Sequence, residues 1–242
     1  KAAIINNIGD NLIIERYSDM LSHMSALKSA GTDFSSNVAS TEFNALRTAF
    51  MDAYKSWQYV SVFEFGPAET KVLRTMLNTF PTDTDQIISN INDGTYNLEL
   101  ASNIDAIGFP ALDFLLYGTG GSEADMVSYF TDSAQGQSRI QYLTDIISQM
   151  DGYLIEVNNG WLSTDGNYIA TFKESQGTEA GSSISLLVNN LNKDFEILKN
   201  GRIGIPLGKK TLDIPLPYKA EAYYSGKSIE LAIEHIKSLK EL

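Results

Sequence analysis

Four long stretches of this chain repeat apolar residues at intervals of three and four, over lengths that helices reach and strands do not. Residues 2–28 carry Ile5, Ile8, Leu12, Tyr17, Met20, Met24 and Leu27 in that rhythm, and residues 41–63 carry Phe43, Leu46, Phe50, Tyr54 and Trp57. Residues 136–158 repeat it with Ile140, Leu143, Ile147, Met150, Leu154 and Val157, and residues 178–199 with Ile184, Leu187, Leu191, Phe195 and Leu198. Such spacing places apolar side chains along one side of a 3.6-residue helix. Glycine or asparagine follows each stretch, and Gly31, Gly66-Pro67, Asn158-Asn159-Gly160 and Lys199-Asn200-Gly201 read as stops. Shorter helices are predicted over 68–79, over 82–91 behind a Thr82-x-x-Asp85 capping pattern, and over 110–117, 123–132 and 225–240. Ile203, Ile205 and Leu207 alternate as a strand would. They stand among Gly204, Pro206, Gly208, Pro215 and Pro217 with no partner strand in sight, so 201–218 reads as an ordered loop. The expectation is an all-α, up-and-down helical bundle, a single domain over 1–242.

Charge and composition narrow the function. Eighteen basic residues against thirty acidic ones give a formal net charge of −12, which repels phosphate backbones and argues against nucleic-acid binding. The absence of cysteine excludes disulfides, thiolate metal sites and cysteine nucleophiles. No apolar run is long enough for a transmembrane helix. The chain begins at Lys1 rather than methionine, as expected of a processed or engineered fragment, which a leader or lipid anchor could have preceded.

The stretch Ile107-Gly108-Phe109-Pro110-Ala111-Leu112-Asp113-Phe114-Leu115-Leu116-Tyr117-Gly118 carries the most specific information. Pro110 suits a first helical position, Leu112, Leu115 and Leu116 share a face, and Asp113 lies where a helix dipole favours a negative side chain. The stretch resembles the signature of the imelysin-like proteins, Gly-x-His-x-x-Glu followed by an apolar run. Pro110 stands where the family has His, and Asp113 where it has Glu. Two further segments strengthen the resemblance. One is Trp57 through Glu64-Phe65-Gly66-Pro67. The other is Gly201-Arg202-Ile203-Gly204 through Gly208, followed by Tyr223-Tyr224-Ser225-Gly226.

The resemblance implies an all-helical, imelysin-like bundle of two pseudo-repeated halves with a pocket between them. It implies a place in the bacterial cell envelope, periplasmic or as an outer-membrane lipoprotein, and partners among outer-membrane or periplasmic iron-uptake components. Because family chains continue past the Tyr-Ser-Gly helix, the second half is expected to be short or missing here. The expected ligand pocket is lined by Glu64, Gly108, Pro110, Asp113 and Arg202.

Metallopeptidase chemistry fits these residues poorly. A catalytic metal needs about three protein ligands and an open position, and Pro110 offers no donor. Only His23 and His235 exist, both read as surface or boundary residues, and no His-Glu-x-x-His pattern is present. An oxygen-only set of Asp113, Glu64 and Asp105 would suit a hard cation, iron among them. Against it, Asp113 reads more readily as capping its own helix or pairing with Arg202. Glu64, set unfavourably at a helix C-terminus, calls for a base such as Arg202. Trp57, Tyr54 and Phe50 read as core. The leading expectation is a non-catalytic, imelysin-like envelope protein that binds a ligand and is associated with iron uptake. A diverged metal-dependent peptidase and a protein-interaction scaffold are the alternatives.

Overall fold

The first helix outruns its predicted end. In a computed structural model, which describes residues 1–242, α1 (Ala2–Ile8) passes through a π-helical stretch, Gly9–Ile14, directly into α2 (Glu15–Ser36). Gly31 does not stop this helix. It is buried, and a methyl group there would come 3.1 Å from Ile147 Cδ1, so the glycine serves close helix packing instead. The true end is Asn37, in extended backbone.

Helix α3 (Ser40–Val60) follows as expected. The single helix predicted over 68–79 is two, α4 (Pro67–Thr70) and α5 (Leu73–Leu77), because Val72 between them takes the left-handed conformation at φ 45°. Helix α6 (Thr84–Asp93) is capped by Asp83, whose side chain accepts from the Gln86 N–H at 3.0 Å. Thr82, expected to do this, donates instead to the Asp105 carbonyl at 2.7 Å. Helix α7 (Gly108–Tyr117) starts two residues before its predicted place. Pro110 is therefore its third residue, and its missing N–H still falls among the four that have no partner within a helix.

Helix α8 (Glu123–Thr131) opens on a reciprocal Ser122–Asp125 capping box. Helix α9 (Gly136–Trp161) continues through Asn158-Asn159-Gly160, and α10 (Tyr168–Glu174) was not foreseen. Helix α11 (Ser183–Glu196) runs past Lys199-Asn200-Gly201 as a π-helical stretch, Ile197–Gly204, and the fold closes with α12 (Ser228–Lys240). No strand forms, so the alternation at Ile203, Ile205 and Leu207 belongs to helical and turn backbone. No helix is long and apolar enough to cross a membrane.

Helix α2 packs against α3 and α9, and α12 lies on α3. Helix α7 is driven into this assembly, with every residue from Gly108 to Leu116 buried. Its sequence is accordingly apolar almost all round, as a helix without a solvent face must be. Phe109 stacks on Tyr54 of α3 with ring centroids 4.4 Å apart and planes 8° from parallel. A buried side chain of that size contributes about 1.5–3 kcal/mol. At the other end of α7, Arg47 Nε and Nη2 donate to the Leu116 carbonyl at 2.9 and 2.6 Å, placing a cation at the negative pole of the helix. Its guanidinium also lies 4.3 Å from the centroid of the Tyr117 ring.

Candidate functional site

The start of α7 is held in place by its own first residue. Gly108 has φ +73°, and a Cβ there would stand 2.3 Å from the Leu77 carbonyl oxygen, so α7 begins pressed against the backbone of the last residue of α5. One turn further, Asp113 projects away from solvent and is 1% exposed. Its Oδ2 accepts the Tyr224 N–H at 2.8 Å and its Oδ1 the Ser225 N–H at 3.2 Å. The carboxylate therefore caps neither its own helix nor Arg202. It ties α7 to the Tyr223-Tyr224-Ser225-Gly226 turn that leads into α12. Tyr224 packs edge-on against Phe114, 5.2 Å between centroids, and reinforces the tie.

Burial pushes the Asp113 carboxyl up from 3.8 to about 6, against the pull of the hydrogen bonds from Ser225 and Tyr224. A carboxyl whose folded value is raised binds its proton more tightly folded than unfolded. Its contribution to stability is complete below about pH 4 and is lost as pH rises through 6. We expect wild-type stability relative to Asp113→Asn to fall by up to about 3 kcal/mol between those limits, read from urea denaturation at several pH values. A flat difference would show that the amide donors cancel the burial cost.

Pro110 and Asp113 share one small cleft with Phe80, Tyr218, Tyr223 and Tyr224, about 20 Å³ in volume, room for roughly one water. Neither Glu64 nor Arg202 lines it. Glu64 accepts the Arg74 N–H on both oxygens at 3.2 Å, and burial raises its carboxyl above the usual range despite the Arg74 charge. Asp105 meets this region through its backbone, its carbonyl accepting from the Asp83 N–H and Thr82 Oγ1. Nowhere do three histidine or carboxylate side chains converge as metal ligands would. With Pro110 donorless, Asp113 bonded to two amides and Glu64 to a third, the residues at this site do not fit a metal.

Arg202 lies at the centre of a buried network that the sequence did not disclose. Its Nη1 donates to Gln58 Oε1 at 2.6 Å and to Glu221 Oε2 at 3.1 Å. Glu221, 1% exposed, also accepts from Asn78 at 2.7 Å and Gln58 at 3.1 Å, and Tyr54 donates to Asn78 at 2.7 Å. A second network surrounds Asp194, whose Oδ1 accepts from Arg74 at 2.6 Å and whose Oδ2 lies 2.6 Å from His235 Nε2. Burial acts to raise the Asp194 carboxyl, but His235 and Arg74 hold it below the usual range.

His235 is fully buried, which corrects its reading as a surface or boundary residue. His23 keeps a partly exposed side chain. Ser61 Oγ, 3.5 Å from His235 Nδ1, completes a Ser–His–Asp order, but all three side chains are sealed in the interior. A nucleophile needs a substrate within reach, so this trio is structural. One signal for it was present in the sequence. Asp194 and His235 occupy positions on the apolar stripes of their helices, seven residues after Leu187 and four after Leu231. The reading of Trp57, Tyr54 and Phe50 as core agrees with their complete burial.

Comparison with known proteins places this geometry in context. The model of the Imelysin family matches residues 13–242. Among solved structures, a putative iron-regulated protein A precursor from Parabacteroides distasonis is similar with a TM-score of 0.79 at 20% identity, over 99% of this chain and 72% of that one. An Imelysin-like protein from Psychrobacter arcticum is similar with a TM-score of 0.64 at 18% identity, over the same shares of each chain. No curated protein matches.

Proposed function

The chain belongs to the imelysin family, and from that premise we propose that it is a non-catalytic, iron-related protein of the bacterial cell envelope that works by binding rather than by hydrolysis. The single observation that carries the non-catalytic half is the state of Asp113. A general base or metal ligand needs a lone pair directed at a substrate or an ion. Here both oxygens are directed at the backbone of residues 224 and 225. Pro110 adds no donor one turn before it. The position that would carry chemistry instead holds two segments of the fold together. The iron-related half is supported by the likeness to the iron-regulated protein A precursor from Parabacteroides distasonis. Iron-uptake components of the periplasm or outer membrane are its proposed partners.

Two measurements test this reading. Purified protein incubated with an unfolded substrate such as reduced casein, with and without added zinc or iron, is expected to leave the substrate intact. Cleavage abolished by a chelator would overturn the non-catalytic assignment. In cells, fractionation after iron restriction is expected to show the protein rising in the envelope fraction. Cytoplasmic protein with a level indifferent to iron would overturn the rest.

A further inference from the structure

Between the π-helical stretch at 197–204 and α12 the chain makes a loop that the rest of the fold leaves bare. The Leu216 N–H donates to the Pro206 carbonyl at 3.0 Å and closes the loop at its base. Inside it, the Thr211 and Asp213 N–H groups both donate to the Gly208 carbonyl, at 3.1 and 2.9 Å. Gly208 is the one buried residue between 207 and 215. Leu212 and Asp213 stand side by side in left-handed backbone, at φ 55° and 59°. Leucine rarely adopts that conformation, because its Cβ crowds the following carbonyl. Here it carries a side chain into solvent rather than into the core. Leu212 is 95% exposed, the barest large apolar residue of the chain, and Ile214 is 60% exposed.

The second observation is charge. The chain carries −12 overall, yet residues 205–219 hold Lys209, Lys210 and Lys219 against a single acid, Asp213. All three lysines are exposed. Asp213 stands 3.9 Å from Lys209, and two groups so open to solvent neutralise each other little. Charges more than about 10 Å away are largely screened at 0.1 M salt, so a surface meeting this loop meets its local sign, not that of the whole chain.

We propose that the 207–219 loop docks reversibly on an anionic lipid surface, with Leu212 and Ile214 entering among the acyl chains and the three lysines resting on the headgroups. The lysines select the bilayer over a protein partner. Lysine is depleted where proteins bury surface against each other, whereas beside a bilayer its stem lies along apolar surface and its charge meets lipid phosphate. Tyr218, half exposed next to Lys219, is of the residue type that favours the same interfacial depth. Docking through this loop needs neither iron nor the Asp113 turn. Vesicle binding by purified protein can therefore fail while the envelope location read from cell fractionation holds, and the reverse.

Flotation of the full chain with vesicles tests the proposal. Protein is expected to float with vesicles of phosphatidylglycerol and phosphatidylcholine, to bind phosphatidylcholine alone at least fivefold more weakly, and to come off in about 1 M salt, where screening shortens to about 3 Å. Lys209→Gln and Lys210→Gln are each expected to weaken binding about fivefold. Leu212→Asn, whose new side chain suits left-handed backbone, is expected to abolish flotation at an unchanged melting temperature. Because the chain has no cysteine, Leu212→Cys can carry a polarity-sensitive dye, whose emission is expected to shift to the blue on the mixed vesicles. The same dye placed through Ile88→Cys, on the exposed side of α6, is expected not to shift. Absence of flotation, equal binding to both vesicles, an unshifted dye at position 212 or indifference to Leu212→Asn would overturn the proposal. So would sedimentation showing self-association that Leu212→Asn abolishes, since the loop would then hold a second copy of the chain.

Discussion

Glu221→Leu is expected to destabilise the protein by about 3–5 kcal/mol, seen as a lower midpoint in guanidinium denaturation with an unchanged slope. The side chains are similar in bulk, so the loss is electrostatic rather than steric. Glu221 is the acceptor on which Arg202, Asn78 and Gln58 converge, and all four are buried. Without it the Arg202 guanidinium stays in the interior with no counter-charge of its own, and the Asn78 amide loses its 2.7 Å acceptor. The penalty belongs to the stranded partner more than to the lost attraction, and this gives a sharper comparison. Glu221→Leu combined with Arg202→Met removes both charges and is expected to be more stable than Glu221→Leu alone. If the double variant is the weaker of the two, the network does not work as an ion pair in a dry interior.

That network also shows where the sequence stops being informative. Helices α2, α3, α9 and α11 were legible because their stripes extend over several turns, and packing needs that periodicity. Their ends were not, because a glycine stop is a local preference that tertiary contact overrides. Gly31 continues α2 because its lack of a side chain lets Ile147 approach. The π-helical stretches at 9–14 and 197–204 have no sequence period of their own and were invisible. At the candidate site, the motif singled out Gly108 and Asp113 as pocket residues, and the burial of the Trp57 stripe was readable from its spacing. The partners were not. Glu221 lies in irregular chain between two prolines and α12, where no periodicity marks a residue as buried. The pairing of Arg202 with Glu221 rather than with Glu64 or Asp113 depends on how distant segments meet. Asp194 and His235 were different, since a charge or imidazole on an apolar stripe is a visible signal of a buried polar pair.

Gly108→Ala is expected to be comparably damaging for a steric reason. Its backbone lies at φ +73°, where an L-residue pays about 1–2 kcal/mol. The added methyl would also stand 2.3 Å from the Leu77 carbonyl oxygen and 2.6 Å from its carbon. Those are backbone atoms, unable to rotate aside, so α7 must back away from α5, at a further cost of about 1–3 kcal/mol or more. The displacement would travel along a helix buried on all sides and reach Asp113, loosening its hold on the Tyr224 and Ser225 amides. Gly152→Ala, within α9, is the matched control. A methyl there meets nothing within 4 Å, and it is expected to be neutral or to stabilise by up to about 1 kcal/mol. Thermal melts should therefore move in opposite directions, with Gly108→Ala losing amide-exchange protection at residues 224 and 225 in step with its stability. If Gly108→Ala melts with Gly152→Ala, the seating of α7 against Leu77 is not what fixes the Asp113 turn, and the account of this site as a structural tie fails with it.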